Sequence, residues 1–183
     1  MDRYQEIKNY YQTLKDHVLF NLIENDLKDL ESVAVNALIA EIRERKLNDK
    51  WIRAVEFARE PMSKEAFALF SRRVERQHCP ICGQGEKPLS VSLVRRVTGQ
   101  IFRVLREFKY VLACPSCIFE EREQAESYNK KKGWFAFPMG VFETLFTFFY
   151  HRKNRKIINT GKQTRDFYRY LHQAKAKIYY QFF

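Results

Sequence analysis

Through residues 1–77 the apolar positions recur every three or four residues. Tyr4, Ile7, Tyr11, Leu14, Val18 and Leu22 make one stripe; Leu27, Leu30, Val35, Leu38, Ile39 and Ile42 make a second. That spacing follows the turn of an amphipathic helix. Asn25 and Asp26 are suited to cap the second helix. The segment WIRAVEFARE continues the pattern and Pro61 interrupts it. Ser63 then offers a hydroxyl to cap a last helix, KEAFALFSRRVERQ. Two readings fit: a small bundle that buries its own stripes, or a helical arm held out for a partner.

The period then changes to two. In IFRVLREFKYVLAC, Phe102, Val104, Phe108, Tyr110 and Leu112 share one parity and Arg103, Glu107 and Lys109 the other; Leu105 and Arg106 break the alternation. Upstream, Leu89, Val91 and Leu93 alternate with Ser90 and Ser92, and TGQ at 98–100 is suited to a turn. The pattern predicts a β-hairpin with one face buried. CIFEEREQAESYNKKK, acidic at its start and basic at its end, reads as a helix aligned with its own dipole, ended by Gly133. Residues 164–181 read as a final basic, aromatic helix. The fold class is α+β and mainly helical. It is expected in three parts: a helical region (1–77), a cysteine-bearing hairpin with its exit helix (78–128), and an aromatic helix with a basic C-terminal helix (129–183).

All four cysteines fall in two pairs, CPIC (Cys79, Cys82) and CPSC (Cys114, Cys117). Two residues between cysteines let both thiolates of a tight turn face one ion, and two such turns make a tetrahedral four-sulfur site suited to zinc. The 31 residues from Cys82 to Cys114 are enough for the hairpin that brings the turns together. Such a closed site leaves no position for water or substrate, so a zinc here is structural. A pair of redox dithiols and an iron site of rubredoxin type use the same residues. His78 adjoins Cys79 and reads as a neighbour of the site.

The knuckle–hairpin–knuckle order over roughly residues 77–118 resembles a zinc ribbon. That resemblance carries Cys79, Cys82, Cys114 and Cys117 over as metal ligands and implies a nucleic-acid- or protein-binding role. GWFAFPMG (133–140) is similar to a GWWGFPWG-like segment that follows a double-CxxC ribbon in uncharacterised bacterial proteins. The likeness keeps Gly133, Trp134, Phe137, Pro138 and Gly140. It implies no activity, only that ribbon and Phe-rich segment work as a unit.

From Pro138 onward, MGVFETLFTFFYH is compatible with a helix. On it Gly140, Glu143, Thr144, Thr147 and His151 form one narrow polar stripe, and the remaining circumference is apolar. A helix of this kind is expected to be covered on nearly all sides, in protein or in lipid. Three readings stand: a central core helix, a helix inserted shallowly into a membrane interface, and a helix docked on a protein. In the last two, Trp134, Phe142, Phe146 and Phe149 supply the docking face. Glu143 argues against a full span.

Charge sharpens this picture by its position. Of the net +11, residues 129–183 supply 12 Lys and Arg against 2 Asp and Glu. Lys130, Lys131, Lys132, Arg152, Lys153, Arg155, Lys156, Lys162, Arg165 and Arg169 are the candidates for an anionic partner, either a membrane surface or nucleic acid. Interleaved Tyr and Phe residues suit stacking on bases, while Phe167, Tyr168, Leu171 and Tyr179 at helical spacing suit inward packing equally well. No HExxH, GxSxG or Gly-rich nucleotide loop is present, and the four histidines are scattered, so neither an enzyme nor a small-molecule substrate is expected. MDRYQEIKNYYQTLKDH lacks the basic and apolar regions of a secretory signal. The expected location is the cytoplasm, including a peripheral position at the inner face of the membrane. The expected function is that of a zinc-ribbon adaptor docking on a protein or anionic membrane; a nucleic-acid-binding ribbon is the alternative.

Overall fold

The N-terminal stripes close on one another. In the computed structural model, which describes residues 2–100, 103–133 and 139–183, they belong to α1 (Arg3–Thr13), α2 (Asp16–Asn21), α3 (Ser32–Glu44) and α4 (Asp49–Arg59). Leu19, Ile23, Val35, Leu38, Ile42, Trp51 and Val55 are buried together, so this region is a bundle with its own core. Two local expectations change. The first stripe is broken at Leu14, where α1 ends in extended backbone. A π turn at Leu22–Asp26 and a 3-10 turn at Leu27–Asp29 replace the expected helix start, and Asn25 bonds Asn21 instead of capping. Arg45 ties the break shut. Its guanidinium donates to the carbonyls of Tyr11, Gln12 and Leu14 at the end of α1 and pairs with Asp16 and Glu41.

The chain divides into two compact units, residues 1–69 with 171–183, and residues 70–170. The division falls within α5 (Lys64–Glu75), capped by Ser63 as its hydroxyl accepts from Ala66 N–H at 3.1 Å, and within α8 (Arg165–Gln173). The expected final helix is interrupted at Ala174, and α9 (Lys175–Phe182) packs into the first unit. There Tyr180 stacks on Trp51 at 3.8 Å, Trp51 stacks on Phe20 at 4.4 Å, and Tyr179 meets Phe57 at 4.7 Å.

The second unit is built on an antiparallel hairpin. β1 (Ser90–Gln100) pairs with β2 (Arg103–Ala113) in a register running from Ser90 opposite Ala113 to Gln100 opposite Arg103. The TGQ segment is therefore strand, and the connection lies at 101–102, outside the described residues. Burial also departs from simple alternation. Near the cysteines both faces are covered, since Leu89, Ser90, Val91 and Ser92 are all buried; farther out, Leu105 and Phe108 are exposed.

Two helices, α6 (Pro115–Lys132) and α7 (Met139–Asn159), pack on this hairpin. Side chains close the outer edge of β1. Asn129 accepts from Val97 N–H at 2.7 Å and donates to Arg95 C=O at 3.0 Å; Gln163 and Thr164 donate to the carbonyls of Leu89 and Val91. These bonds satisfy backbone groups that an open strand edge would offer to another chain.

Of the three readings for this helix, the central core helix is not the one found: the chain itself covers only one face of α7. Its inward face is Gly140, Thr144, Thr147, His151, Asn154 and Ile158. The polar stripe is the buried one. Phe142, Phe146 and Phe149 point outward at 64%, 56% and 63% exposure, with Met139, Leu145 and Phe148 beside them. Close approach explains the small inner residues: a Cβ on Gly133 at the end of α6 would collide with Thr144 Oγ1.

Candidate metal centre and exposed aromatic face

The two knuckles are shaped by backbone bonds. Cys79 N–H donates to Gln84 C=O and Gly83 N–H to Cys79 C=O, both at 2.8 Å; Gly83 sits at φ +73°, a conformation that favours glycine. The second knuckle is the start of α6, with Cys114 at its N-cap, Pro115 at the first helical position, and Cys117 in the first turn. Pro is tolerated there because no intrahelical N–H bond is lost. β1 and β2 bring the knuckles together, so that the four Sγ atoms lie within 4.8 Å of one another. Cys79, Cys114 and Cys117 are buried and Cys82 is exposed.

This geometry fits a metal ion. Four sulfurs around one tetrahedral ion at about 2.3 Å stand about 3.8 Å apart, and Cys82 Sγ and Cys114 Sγ are 3.8 Å apart. The electrostatics also fit. Burial opposes ionisation of Cys79, but N–H groups of Cys114, Cys82 and Ile81 outweigh it and bring that thiol down to about 6. Burial pushes the Cys114 and Cys117 thiols up, and at Cys117 the neighbouring sulfurs add to the effect. The fold alone favours the Cys79 thiolate and opposes those of Cys114 and Cys117, and a bound cation would offset that opposition. His78 lies against Gly85 and outside the cluster.

The expected docking face spans more than α7. Arg95 of β1 lies over the rings of Phe108 (5.4 Å), Phe146 (5.2 Å) and Tyr150 (4.4 Å), joining the exposed end of the hairpin to the helix. Glu143, expected to be costly in an apolar setting, pairs with Arg106 of β2 at 2.8 Å. No local pattern marks Arg95 or Phe108 for this role, because it arises only when α7 packs on the hairpin. Trp134 lies outside the described residues. Among those described, no helix is long and apolar enough to cross a membrane.

The basic candidates are all exposed: Lys130, Lys131 and Lys132 end α6, and Arg152, Lys153, Arg155 and Lys156 occupy the second half of α7. Lys162, Arg165 and Arg169 follow on the α7–α8 connection and on α8. Of the aromatic residues interleaved with them, Phe167 is fully buried and Tyr168 is exposed.

Comparison with protein-family models, curated proteins and solved structures finds no match to this chain.

Proposed function

We propose that this protein is a non-enzymatic docking module. Its four cysteines hold a structural zinc, and the outer face of α7 settles shallowly into an anionic membrane surface. The observation that carries this reading is the inverted helix: Phe142, Phe146 and Phe149 face solvent while Thr144, Thr147 and His151 are buried beneath α7, beside α6. Burying one phenylalanine contributes about 1.5–3 kcal/mol, and each Lys or Arg close to anionic lipid about 1 kcal/mol. The apolar half of α7 followed by Arg152, Lys153, Arg155 and Lys156 supplies both contributions along one helix.

Zinc, when bound, cross-links the two knuckles through soft thiolates and leaves no open coordination position. Its part is to hold β1, β2 and the start of α6 in register, and through them the platform beneath α7. The nucleic-acid alternative keeps the cations but has fewer stacking rings, since Phe167 is buried.

Co-sedimentation with vesicles tests the docking reading. Vesicles of phosphatidylcholine with phosphatidylglycerol are expected to pull down the metal-loaded protein and pure phosphatidylcholine to leave it in solution. The double change Phe146→Ser, Phe149→Ser is expected to abolish sedimentation. Unchanged sedimentation of that variant refutes the reading. Salt-sensitive binding to single-stranded RNA without vesicle binding would favour the nucleic-acid alternative.

A further inference from the structure

The cation of Arg122 is buried without a direct ion pair, and the carboxylates that act on it, those of Asp166 and Glu126, do so from farther away. Its side chain is 3% exposed, yet no carboxylate among the described residues pairs with it. Nε and Nη2 donate to Ser92 Oγ at 2.8 and 2.6 Å, and Nη1 donates to the His151 carbonyl at 3.4 Å. A guanidinium has five N–H groups, so two remain without a bond. A buried charge left in this state is costly unless an opposite charge completes its surroundings.

Arg122 lines a cleft of about 470 Å³ between α6 and α7. That volume falls within the ~300–1,000 Å³ common for small-molecule sites. Exposed Arg152, Arg155 and Lys156 stand on its α7 wall, and Phe119 and Phe148 provide apolar sides. The guanidinium of Arg155 lies 5.0 Å from the centre of the Phe119 ring. Two carboxylates also line the cleft, Glu123 and Glu126, and Glu126 is engaged with His151 Nδ1 at 3.2 Å. Four cations against two carboxylates leave an excess of two positive charges, which matches the dianion that a phosphate monoester approaches at neutral pH.

We infer that the α6–α7 cleft binds a phosphate monoester, with Arg122 at its floor, Arg155 at its wall, and Phe119 and Phe148 against the organic part of the ligand. Guanidinium groups suit this task because their planar N–H pairs meet phosphate oxygens two at a time. The inference stands on α6 and α7 and does not require docking by the outer face. The phosphate is either free in solution or carried by a lipid headgroup.

Isothermal titration of the full-length, metal-loaded protein distinguishes these cases. Inorganic phosphate and phenyl phosphate are expected to bind at one site per chain, phenyl phosphate more tightly because it also contacts the ring walls. Arg155→Gln, on the exposed wall, is expected to weaken phenyl phosphate about tenfold or more with an unchanged melting temperature. Arg122→Gln should weaken it further; if that variant does not fold, Arg155→Gln decides. A parallel arm compares vesicles containing phosphatidic acid, a monoester, with vesicles containing an equal fraction of phosphatidylglycerol, a diester. Preference for phosphatidic acid that disappears in Arg155→Gln assigns the phosphate to lipid, even where the soluble compounds fail. No saturation by either soluble compound up to about 10 mM, together with equal binding to both vesicles, overturns the inference. Equal binding by wild type and Arg155→Gln overturns it as well. The Phe146→Ser, Phe149→Ser protein is expected to keep phenyl phosphate binding, which separates this site from the docking face.

Discussion

The two units of this chain solve the problem of burial in opposite ways. In residues 1–69 with 171–183, aliphatic stripes and a Phe20–Trp51–Tyr180 stack turn inward. In residues 70–170 the interior is markedly polar: among the described residues eleven polar or charged side chains are buried, and ten of them lie here. Meanwhile Phe108, Phe142, Phe146, Phe148 and Phe149 stand outside. The bundle is held by nondirectional apolar contact, which tolerates repacking. The hairpin unit adds directional links to its buried valines and leucines, namely an Asn129 clamp on the β1 edge and Arg122 on Ser92, beside four sulfurs placed to hold an ion. Such links free apolar surface for another use and make the unit dependent on each link being complete.

The sharpest way to break this contrast is to strip the proposed zinc. Structural zinc contributes on the order of 10 kcal/mol or more in small cysteine sites. Chelation, or Cys114→Ser, is expected to abolish amide-exchange protection in 90–132 and leave it in α3 and α4. Metal analysis of the purified protein should find one zinc per chain. Protection in the hairpin that survives chelation would contradict the dependence on metal.

Leu38→Ala makes the reciprocal change. Leu38 is fully buried in the bundle, so its truncation is expected to cost about 2–5 kcal/mol. In urea unfolding followed by Trp51 fluorescence in a Trp134→Phe background, the midpoint should fall while bound metal is retained.

Acid should distinguish the units next. Burial, aided by the cations Arg122 and Arg95, pushes His151 from its ordinary 6.5 to about 4, with a backbone contact to Leu93 opposing. The folded pKa is depressed, so the unfolded chain binds the proton first. The resulting stabilisation is whole above about pH 6.5 and is lost as pH falls toward about 4, on the order of 3 kcal/mol at most. Glu126, whose carboxyl burial pushes up, works in the opposite direction and reduces the total. His151→Gln is expected to flatten the pH dependence of unfolding in this window; an unchanged slope would remove His151 as its source.

The smallest expected effect is the most telling. Phe149→Ser removes a large apolar side chain that is 63% exposed. Its effect on the melting free energy should stay within about 0.5 kcal/mol. A loss comparable to that of Leu38→Ala would mean that α7 buries this face after all.

The bundle and the cysteine site were legible in the sequence for the same reason: both are written in local spacing. Three- and four-residue steps place Leu38 and Ile42 inward, and the two CxxC pairs announce their common purpose before any fold is known. The polar stripe of α7 was visible too, but its direction was not. Apolar residues facing out and threonines facing in become intelligible only beside Gly133, Asn129 and the hairpin edge, which are distant in sequence. Arg122 was hidden for a related reason. An arginine within the charged run EEREQ reads as solvated surface until Ser92 is placed beneath it.

The route by which α9 enters the bundle has a consequence for the order of folding. Residues 171–183 complete a core begun by residues 1–69, while residues 70–170 are contiguous. During synthesis residues 70–170 are therefore available to fold before the bundle has received Tyr179 and Tyr180. A core begun by residues 1–69 is thus completed only after the hairpin unit has been made, when Tyr180 adds its ring to the Phe20–Trp51 stack.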